Sequence, residues 1–393
     1  MVIDVKYKVA NSELERLTMI QIDHVDPTNS KDIQRFISIP FRLYRDTPQW
    51  VPPFLNDSKL YLNKKKHPFY RHSDADFFIA KRDGVDVGRI AILENRHFNE
   101  YHHKRDAQFY FFDSIHDHAV AQALFTRAFE WAKNRNLNRM VGPKGMGPLD
   151  GYGVLVEGFE HRQMMMMMNY NHPYYSELIE AQGFTKEVDF VSCYLSAETF
   201  HLPERVHSIA QRVQQRGTLK VLSFEKRSQL RQWARKIGKA YNNAFVNNWE
   251  YYPLTEEEIQ FVLDNIIPYA DPKLIKIITH KDEAVGFLFG FPDISAAMQR
   301  ANGKINPLSI IDLLIEMRRT QWIALNGAGI LPEFHGRGGN ALLYSEMEKT
   351  VRNYQFKHAD LTQVAETAVQ MRRDLENVGG KPYKNHRVYS RTI

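Results

Sequence analysis

The strongest constraint on the fold is a sequence repeat whose offset is close to half of the 393-residue chain. Residues 77–93 and 275–291 align without gaps, and each segment reads as strand, charged turn, Val-Gly and strand. Residues 180–186 and 376–382 repeat at nearly the same offset, where a helix stops at a glycine before a new strand. Because spacing and order agree, the sequence predicts one supersecondary unit built twice.

The two halves also start alike. Apolar and polar residues alternate over residues 18–25 and 219–224, as in a half-buried strand, and an amphipathic helix follows each segment. Between the halves we expect a linking helix, with Pro203 near its first turn and Gly217 at its end. The chain therefore contains the same order of strands and helices twice.

This linking helix sets the predicted domain boundary. The N-terminal domain is predicted to cover residues 1–198 and the C-terminal domain residues 199–393, of which residues 199–217 form the linking helix.

A glycine-rich turn in the C-terminal half carries the most chemistry. Residues 320–331 read as an apolar strand, residues 332–340 (PEFHGRGGN) as a turn, and residues 341–354 as an amphipathic helix. Small residues let backbone N–H groups approach an oxyanion, and a helix start contributes about half a positive charge. Arg337 adds a cation whose fork geometry suits phosphate. The turn therefore predicts a pyrophosphate site, while the absence of GxxxxGK[ST] and GxGxxG excludes the common nucleotide loops.

The turn resembles the coenzyme A pyrophosphate loop of the GNAT superfamily, whose signature R/Q-x-x-G-x-G/A follows a strand that ends near V-x-P. Ile330 and Pro332 stand at the strand end, His335 at the R/Q position, Gly338 at the central glycine and Asn340 at the final position. His335 and Asn340 depart from the signature. The cofactor-binding residues that the resemblance implies are Gly329, Ile330, His335, Gly336, Arg337, Gly338, Gly339, Asn340 and Ala341.

The C-terminal segment is similar to the ends of bacterial tandem GNAT-like proteins. The shared positions are Glu366, Met371, Glu376, Gly379, Gly380, Tyr383, Lys384, Arg387 and Tyr389. The resemblance covers nearly the whole chain. It implies an α/β (α+β) protein with two tandem GNAT-like acyl-CoA N-acyltransferase folds, whose mixed, mainly antiparallel sheets are flanked by helices.

Three residues are candidates for acid–base chemistry. Asp360 and Glu366 bracket a predicted strand whose counterpart in GNAT folds splays from its neighbour, and a carboxylate there is placed to accept the proton of an amine. The alternative for each is an N-cap or a surface charge. Tyr389 on the final hairpin is a candidate general acid, with packing as its alternative. A backbone N–H near Gly329 or Ile330 is expected to stabilise the oxyanion.

The matching turn of the N-terminal copy lacks these features. Residues 113–125 contain no glycine, and Asp113 and Asp117 would repel a pyrophosphate. We therefore expect no cofactor in this half, and one coenzyme A per chain.

Two further segments have a structural and a functional interpretation. Residues 249–252, an aromatic stretch before a capping box, either wall the acceptor pocket or pack in the core. The five methionines at residues 164–168 either line an acyl tunnel or pack in the core and at an interface.

Composition limits the remaining classes of function. The single cysteine, Cys193, excludes an intrachain disulfide and a multi-cysteine zinc site, so we expect no metal and a cytoplasmic protein. No secretory signal or membrane-length apolar stretch is present, which predicts a soluble chain with no membrane partner. The net charge of +6 is spread along the chain, and this argues against nucleic acid as a partner.

Together these features predict an acyltransferase that moves an acetyl or other acyl group from acyl-coenzyme A to the amine of a small molecule or peptide. Two alternatives stay open. One is a degenerate GNAT-fold binding or structural protein without catalysis. The other is aminoacyl transfer from tRNA, for which the mild basic charge is weak support.

Overall fold

The two halves share most of their order of strands and helices. The computed structural model describes residues 20–147, 150–164 and 168–393. The elements of the N-terminal half are strands β1 (Gln21–His24), β2 (Asp74–Arg82), β3 (Val85–Glu94), β4 (Asp106–Ser114), β5 (Arg139–Gly142), β6 (Val154–Glu157) and β7 (Thr185–Ser196), and helices α1 (Ser30–Leu43), α2 (Leu55–Leu62), α3 (Arg96–His102), α4 (His118–Lys133) and α5 (Tyr175–Glu180).

The C-terminal half repeats most of this pattern after the linking helix α6 (Glu204–Arg216). Among the described residues it has no counterpart of β6, and it has two helices instead of one between its third and fourth strands. Its strands are β8 (Lys220–Ser223), β9 (Ile275–His280), β10 (Glu283–Pro292), β11 (Trp322–Ile330), β12 (His358–Ala365) and β13 (Lys381–Thr392). Its helices are α7 (Arg227–Ala244), α8 (Glu256–Ile266), α9 (Ser295–Ala301), α10 (Pro307–Arg319), α11 (Gly339–Asn353) and α12 (Val369–Asn377).

Short-range polar contacts explain where several helices begin and end. The Asn29 side chain accepts a hydrogen bond from the Lys31 N–H at the start of α1. Thr255 and Glu258 form a reciprocal capping box at the start of α8. Gly217 ends α6 in the left-handed conformation, with φ of 67°, as expected for a glycine stop.

The strands form one continuous sheet, in the order β1-β2-β3-β4-β5-β13-β7-β12-β11-β10-β9-β8, with β6 also paired to β13. Most neighbours are antiparallel, while β4 pairs with β5 and β11 pairs with β12 in parallel. Helices flank this sheet. The predicted α/β class with mixed, mainly antiparallel pairing is confirmed.

The halves exchange their last strands, a feature absent from the prediction of two separate sheets. The C-terminal strand β13 pairs with β5 of the N-terminal half and with β7. In turn, β7 pairs with β12 of the C-terminal half. Because each last strand satisfies its backbone groups on the other half, the two sheets merge into one.

Charged side chains also join the halves. Lys144 Nζ lies 2.6 Å from Glu250 Oε2, and both side chains are only 5% exposed. Arg162 pairs with the buried Asp293. Lys144 and Arg162 of the N-terminal half therefore anchor it to the C-terminal half.

The methionine run is placed in part. Met164 and Met168 are buried against Ala324 of β11, and neither lines the large cavity described below. Residues 165–167 lie outside the described residues. The core interpretation therefore holds for Met164 and Met168, although neither residue belongs to a strand. Within the described ranges, no helix combines the length and the hydropathy that crossing a bilayer requires.

Candidate functional site

Two neighbouring strands separate in the C-terminal half. β11 and β12 pair in parallel only from Trp322 and His358 to Leu325 and Leu361. Beyond that point β11 continues along β10 as far as Ile330, with a register shift opposite residues 325–328. The opening belongs to a cavity of about 1680 Å³, larger than the roughly 300–1,000 Å³ of an ordinary small-molecule pocket.

The glycine turn lies at the end of β11 and on the wall of this cavity. All nine residues that the resemblance implies line the cavity: Gly329, Ile330, His335, Gly336, Arg337, Gly338, Gly339, Asn340 and Ala341. The prediction therefore selected residues that the fold brings together.

Backbone geometry explains the central glycines. Gly338 is the N-cap of α11 with φ of 83°, and a Cβ there would lie 2.7 Å from the Val213 side chain. A Cβ on Gly339 would lie 2.6 Å from Ile330 Cδ1. No side chain in the described part of the protein caps α11, so its first N–H groups are left for a ligand or for water.

His335 and Arg337 play different parts in this turn. His335 Nε2 donates a hydrogen bond of 2.8 Å to the Ile330 carbonyl, so the ring ties the turn to the strand instead of pointing into the anion site. Arg337 is exposed, and its guanidinium lies 4.9 Å from the centre of the Phe334 ring. Arg337 is therefore the turn residue that offers a positive charge to an anion.

The strand geometry separates the two candidates for a backbone donor. The Leu331 N–H bonds to the Val285 carbonyl on β10. Because successive N–H groups of a strand point in opposite directions, the Ile330 N–H points away from β10, toward the opening. By the same alternation the Gly329 N–H points toward β10. Ile330 is thus the better placed donor.

The linking helix α6 adds cations that the sequence analysis missed. Arg205, Arg212 and Arg216 line the same cavity as the glycine turn. Their spacing of seven and four residues places them on one helix face. That spacing was the available signal, but only the packing of α6 against α11 shows which surface the face meets.

The other end of the cavity is apolar. Its lining residues from α7, α8 and the connecting segment include Ile237, Tyr241, Phe245, Trp249, Tyr251, Tyr252, Ile259, Val262 and Leu263, with Asn247, Asn248 and Glu250 as polar members. Residues 249–252 line the cavity, as the first interpretation of this stretch expects. Trp249 also packs against the buried core residues Val141 and Phe190, as the second expects.

Two buried atoms on the cavity wall have no hydrogen-bond partner among the described residues, Glu250 Oε1 and Asn326 Nδ2. Glu250 Oε1 does have an ionic partner, because Lys104 Nζ lies 3.5 Å away. Burial raises the pKa of Glu250, but Lys144, Lys104 and Arg139 lower it, and the net pKa lies below its usual range. Glu250 also has a φ of 48°, a left-handed conformation that is rare outside glycine and often found at functional sites.

None of the three predicted acid–base residues lines this cavity. Asp360 is fully buried, accepts hydrogen bonds from Thr362 Oγ1 and Tyr383 OH, and has a pKa raised by burial. Asp360 does lie on the splayed strand β12, as predicted. Because side chains alternate along a strand, its side chain faces the side of the sheet opposite the cavity.

Glu366 and Tyr389 make structural contacts instead. Glu366 accepts hydrogen bonds from the Asp189 N–H and from Lys186 Nζ. Tyr389 is 1% exposed in the core of the N-terminal half, and its hydroxyl bonds to Glu180. Packing is therefore the interpretation that the geometry of Tyr389 favours.

The equivalent turn of the N-terminal half is already occupied by its own side chains. Asp117 Oδ1 accepts hydrogen bonds from the Ala119 and Val120 N–H groups at the start of α4. Asp113 lies 2.7 Å from Arg89 Nε. Asp117 also pairs with Arg82, so its negative charge is largely compensated. The main obstacle to an anion here is therefore that the amides at the start of α4 are already hydrogen-bonded.

One group of residues in the described part of the chain has the composition of a metal site. His72, His97 and Glu258 place one ligand atom each within 4.8 Å of one another. Glu258 is, however, committed to the α8 capping box and to His72, and the three residues lie outside the cavity lining.

Two bacterial proteins are similar to this chain in sequence over most of their length. No protein-family model matches the chain. The chain is 28% identical over 371 residues to the bacterial ceramide synthase of Caulobacter vibrioides, covering 92% of this chain and 95% of that protein. It is 26% identical over 371 residues to Protein YghO of Escherichia coli, covering 93% and 94%.

A solved structure has the same architecture. A tandem GNAT protein from the clavulanic acid biosynthesis pathway superposes with a TM-score of 0.55 at 10% identity, over 95% of this chain and 98% of that one. The splayed parallel pair, the glycine turn that opens a helix and the repeated order of elements are all present here. The chain therefore has a GNAT-like fold, of the kind found in tandem GNAT proteins.

Proposed function

We propose that this protein transfers an acyl group from acyl-coenzyme A to an amine. One observation carries the proposal: the uncapped start of α11, Arg337 and the end of the splayed strand β11 meet on the wall of one cavity. Free amides, a helix start and a fixed cation together suit a pyrophosphate.

In this proposal the arginines of α6 add charge for the remaining phosphate, and the Ile330 N–H donates to the thioester carbonyl oxygen as it becomes negative. Glu250 holds the acceptor amine and takes its proton. The amine nitrogen forms a bond to the acyl carbon, the carbon–sulfur bond breaks, and coenzyme A leaves as the thiolate. Asn326 Nδ2 is a further donor for the reacting carbonyl.

The apolar end of the cavity supports an acyl chain longer than acetyl. The side chains of α7 and α8 there are mostly aliphatic and aromatic, which favours burial of methylene groups. A relative named ceramide synthase agrees, since a ceramide is an N-acylated long-chain base. We therefore propose a long-chain acyl donor and a lipid-like amine.

Titration calorimetry with coenzyme A tests the cofactor site. We expect one site per chain, and in Arg337→Glu a loss of affinity of at least about tenfold, because a charged hydrogen bond is worth about 1.5–3 kcal/mol. Arg231→Glu is the matched control, since Arg231 is exposed but does not line the cavity. Normal binding by Arg337→Glu, or equal losses in both variants, would remove the proposed site.

A series of acyl-coenzyme A donors tests the chain length. Val262→Trp fills part of the apolar end, so transfer from long-chain donors should fall much more than transfer from acetyl-coenzyme A. The control Val246→Trp changes an exposed valine that does not line the cavity. A parallel loss for short and long donors would contradict the assignment of the acyl end.

The binding-protein alternative has one observation in its favour, since Asp360, Glu366 and Tyr389 do not line the cavity. It predicts tight coenzyme A binding with no acylated product. Mass spectrometry of the product after incubation with a long-chain donor and amine separates the two functions.

A further inference from the structure

Helix α10 exposes most of its hydrophobic residues to solvent and buries polar residues against the rest of the protein. Its buried positions include the polar residues Ser309 and Glu316 beside Leu313. Its exposed positions are aliphatic, and Leu308 is 78% exposed. An ordinary surface helix shows the opposite pattern, with apolar residues toward the core.

The exposed residues are concentrated in one short segment. Ten large hydrophobic residues are exposed in the described part of the chain, and six of them fall within residues 305–315. These six are Ile305, Leu308, Ile310, Ile311, Leu314 and Ile315. We refer to them as the α10 face. Scattered exposed aliphatics need no explanation, whereas a contiguous patch marks an interaction surface.

The charges around the α10 face are arranged by sign. The acidic residues of α10, Asp312 and Glu316, both bind Arg300 of α9, at 2.8 and 2.5 Å. The exposed rim is basic: Lys304 precedes the helix, and Arg318 and Arg319 end it. Of these, Arg319 lies 3.6 Å from Glu316, which already pairs with Arg300. The surface is therefore apolar in the middle, with basic residues at both ends.

We propose that the α10 face docks onto the surface of an anionic lipid bilayer. An interfacial helix buries aliphatic side chains at the level of the acyl chains, while lysine and arginine meet the lipid phosphates. A symmetric contact between two copies would instead bring the two basic rims together without compensating acidic groups. The charge pattern therefore favours a lipid surface over a second copy of the chain.

This proposal differs from the expectation of no membrane partner, which rested on the absence of a membrane-length apolar stretch. A helix that lies in the interface needs only one apolar face, so hydropathy summed along the chain does not reveal it. The proposal does not rest on the acyltransferase function, because no residue of the α10 face lines the cavity.

Vesicle flotation of the full chain tests the proposal. We expect binding to vesicles of phosphatidylcholine with phosphatidylglycerol, weaker binding to phosphatidylcholine alone, and a further loss as salt is raised. The affinity of the triple variant Leu308→Ser, Ile311→Ser, Ile315→Ser for these vesicles should be at least about tenfold weaker than that of the wild type. The control changes three exposed hydrophobic residues elsewhere to serine: Val85, Tyr101 and Val246.

A second variant tests the rim. Lys304→Glu with Arg318→Glu should abolish the preference for anionic vesicles, and its melting temperature should match that of the wild type because both residues are exposed. Failure of the wild type to float, or equal binding by the triple variant and its control, overturns the proposal. Light scattering that shows a wild-type dimer which the triple variant dissociates, without vesicle binding, assigns the face to self-association and also overturns it.

Discussion

At the scale of residues, similar carboxylates acquire different roles from their surroundings. Asp360 is fully buried and bonded to Thr362 and Tyr383, whereas Glu250 lies on the cavity wall, where Lys144 pairs with its Oε2 and Lys104 Nζ lies 3.5 Å from its Oε1. The lowered pKa of Glu250 keeps it ionised near neutral pH, as a proton acceptor or a partner for an ammonium group must be.

Glu250→Gln tests the proposed proton acceptor. The amide keeps the shape of the side chain but removes its charge, so acyl transfer should fall by roughly a hundredfold or more while coenzyme A binding is retained. Because Lys144 loses its buried partner, melting curves must accompany the kinetics. Glu257→Gln, an exposed carboxylate paired to Arg71, is the control.

His386 should make stability depend on pH. Its Nε2 donates to the Asn169 carbonyl, while the buried Nδ1 has no partner in the described ranges, and burial lowers the pKa to about 4. The folded state therefore binds fewer protons than the unfolded chain between about pH 4 and 6.5, so stability is present above that window and is lost as pH falls through it.

Denaturant titrations across this window measure the effect. The contribution of His386 to the free energy of unfolding is at most about 3 kcal/mol. His386→Gln cannot take up the proton, so the difference between variant and wild type should shrink as the solution is acidified. The same substitution at the exposed His201 should leave the difference constant. A pH-independent difference for His386→Gln would contradict the buried neutral imidazole.

At the scale of elements, two equivalent helices differ in how they start. α4 begins with Asp117, whose carboxylate occupies two of its free amides. α11 begins with Gly338 and receives no cap from the side chains that the structure describes. A capped start stabilises a helix, whereas an uncapped start in a cavity leaves N–H groups for an anion. Duplicated elements have thus taken a structural and a proposed binding role.

Asp117→Ala separates these roles. Loss of the cap should lower the free energy of unfolding by about 1–2 kcal/mol, and it should leave coenzyme A binding unchanged. Denaturant titration and calorimetry on one preparation give both values. A gain or loss of a coenzyme A site in this variant would show that the N-terminal turn takes part in binding.

At the scale of the whole molecule, strand exchange makes the halves interdependent. β13 lies between β5 and β7, so each half needs a strand of the other to complete its part of the sheet. The division of the sequence into domains at residues 1–198 and 199–393 stays a prediction. In the folded protein, one sheet contains strands from both sides of this boundary.

Separate expression of the two halves tests this interdependence. Each fragment alone would expose unpaired strand edges, so we expect aggregation or poorly dispersed amide spectra for each one. Co-expression should restore a soluble complex, and the intact chain should unfold in a single transition. Two well-folded, independent fragments would contradict this expectation.

The repeat, the glycine turn and the α/β class were readable from the sequence, because they depend on local spacing: apolar periodicity, helix stops, and Gly336, Gly338 and Gly339 before a helix. Three features were not readable: the position of Asp360 away from the cavity, the approach of the α6 arginines to it, and the place of Glu250 on its wall. Each depends on which faces of distant elements meet, and a strand residue changes sides with a shift of one position. Likewise the apolar face of α10 looks like core in the sequence. Only the tertiary structure, which buries its Ser309 and Glu316 side instead, leaves that face exposed.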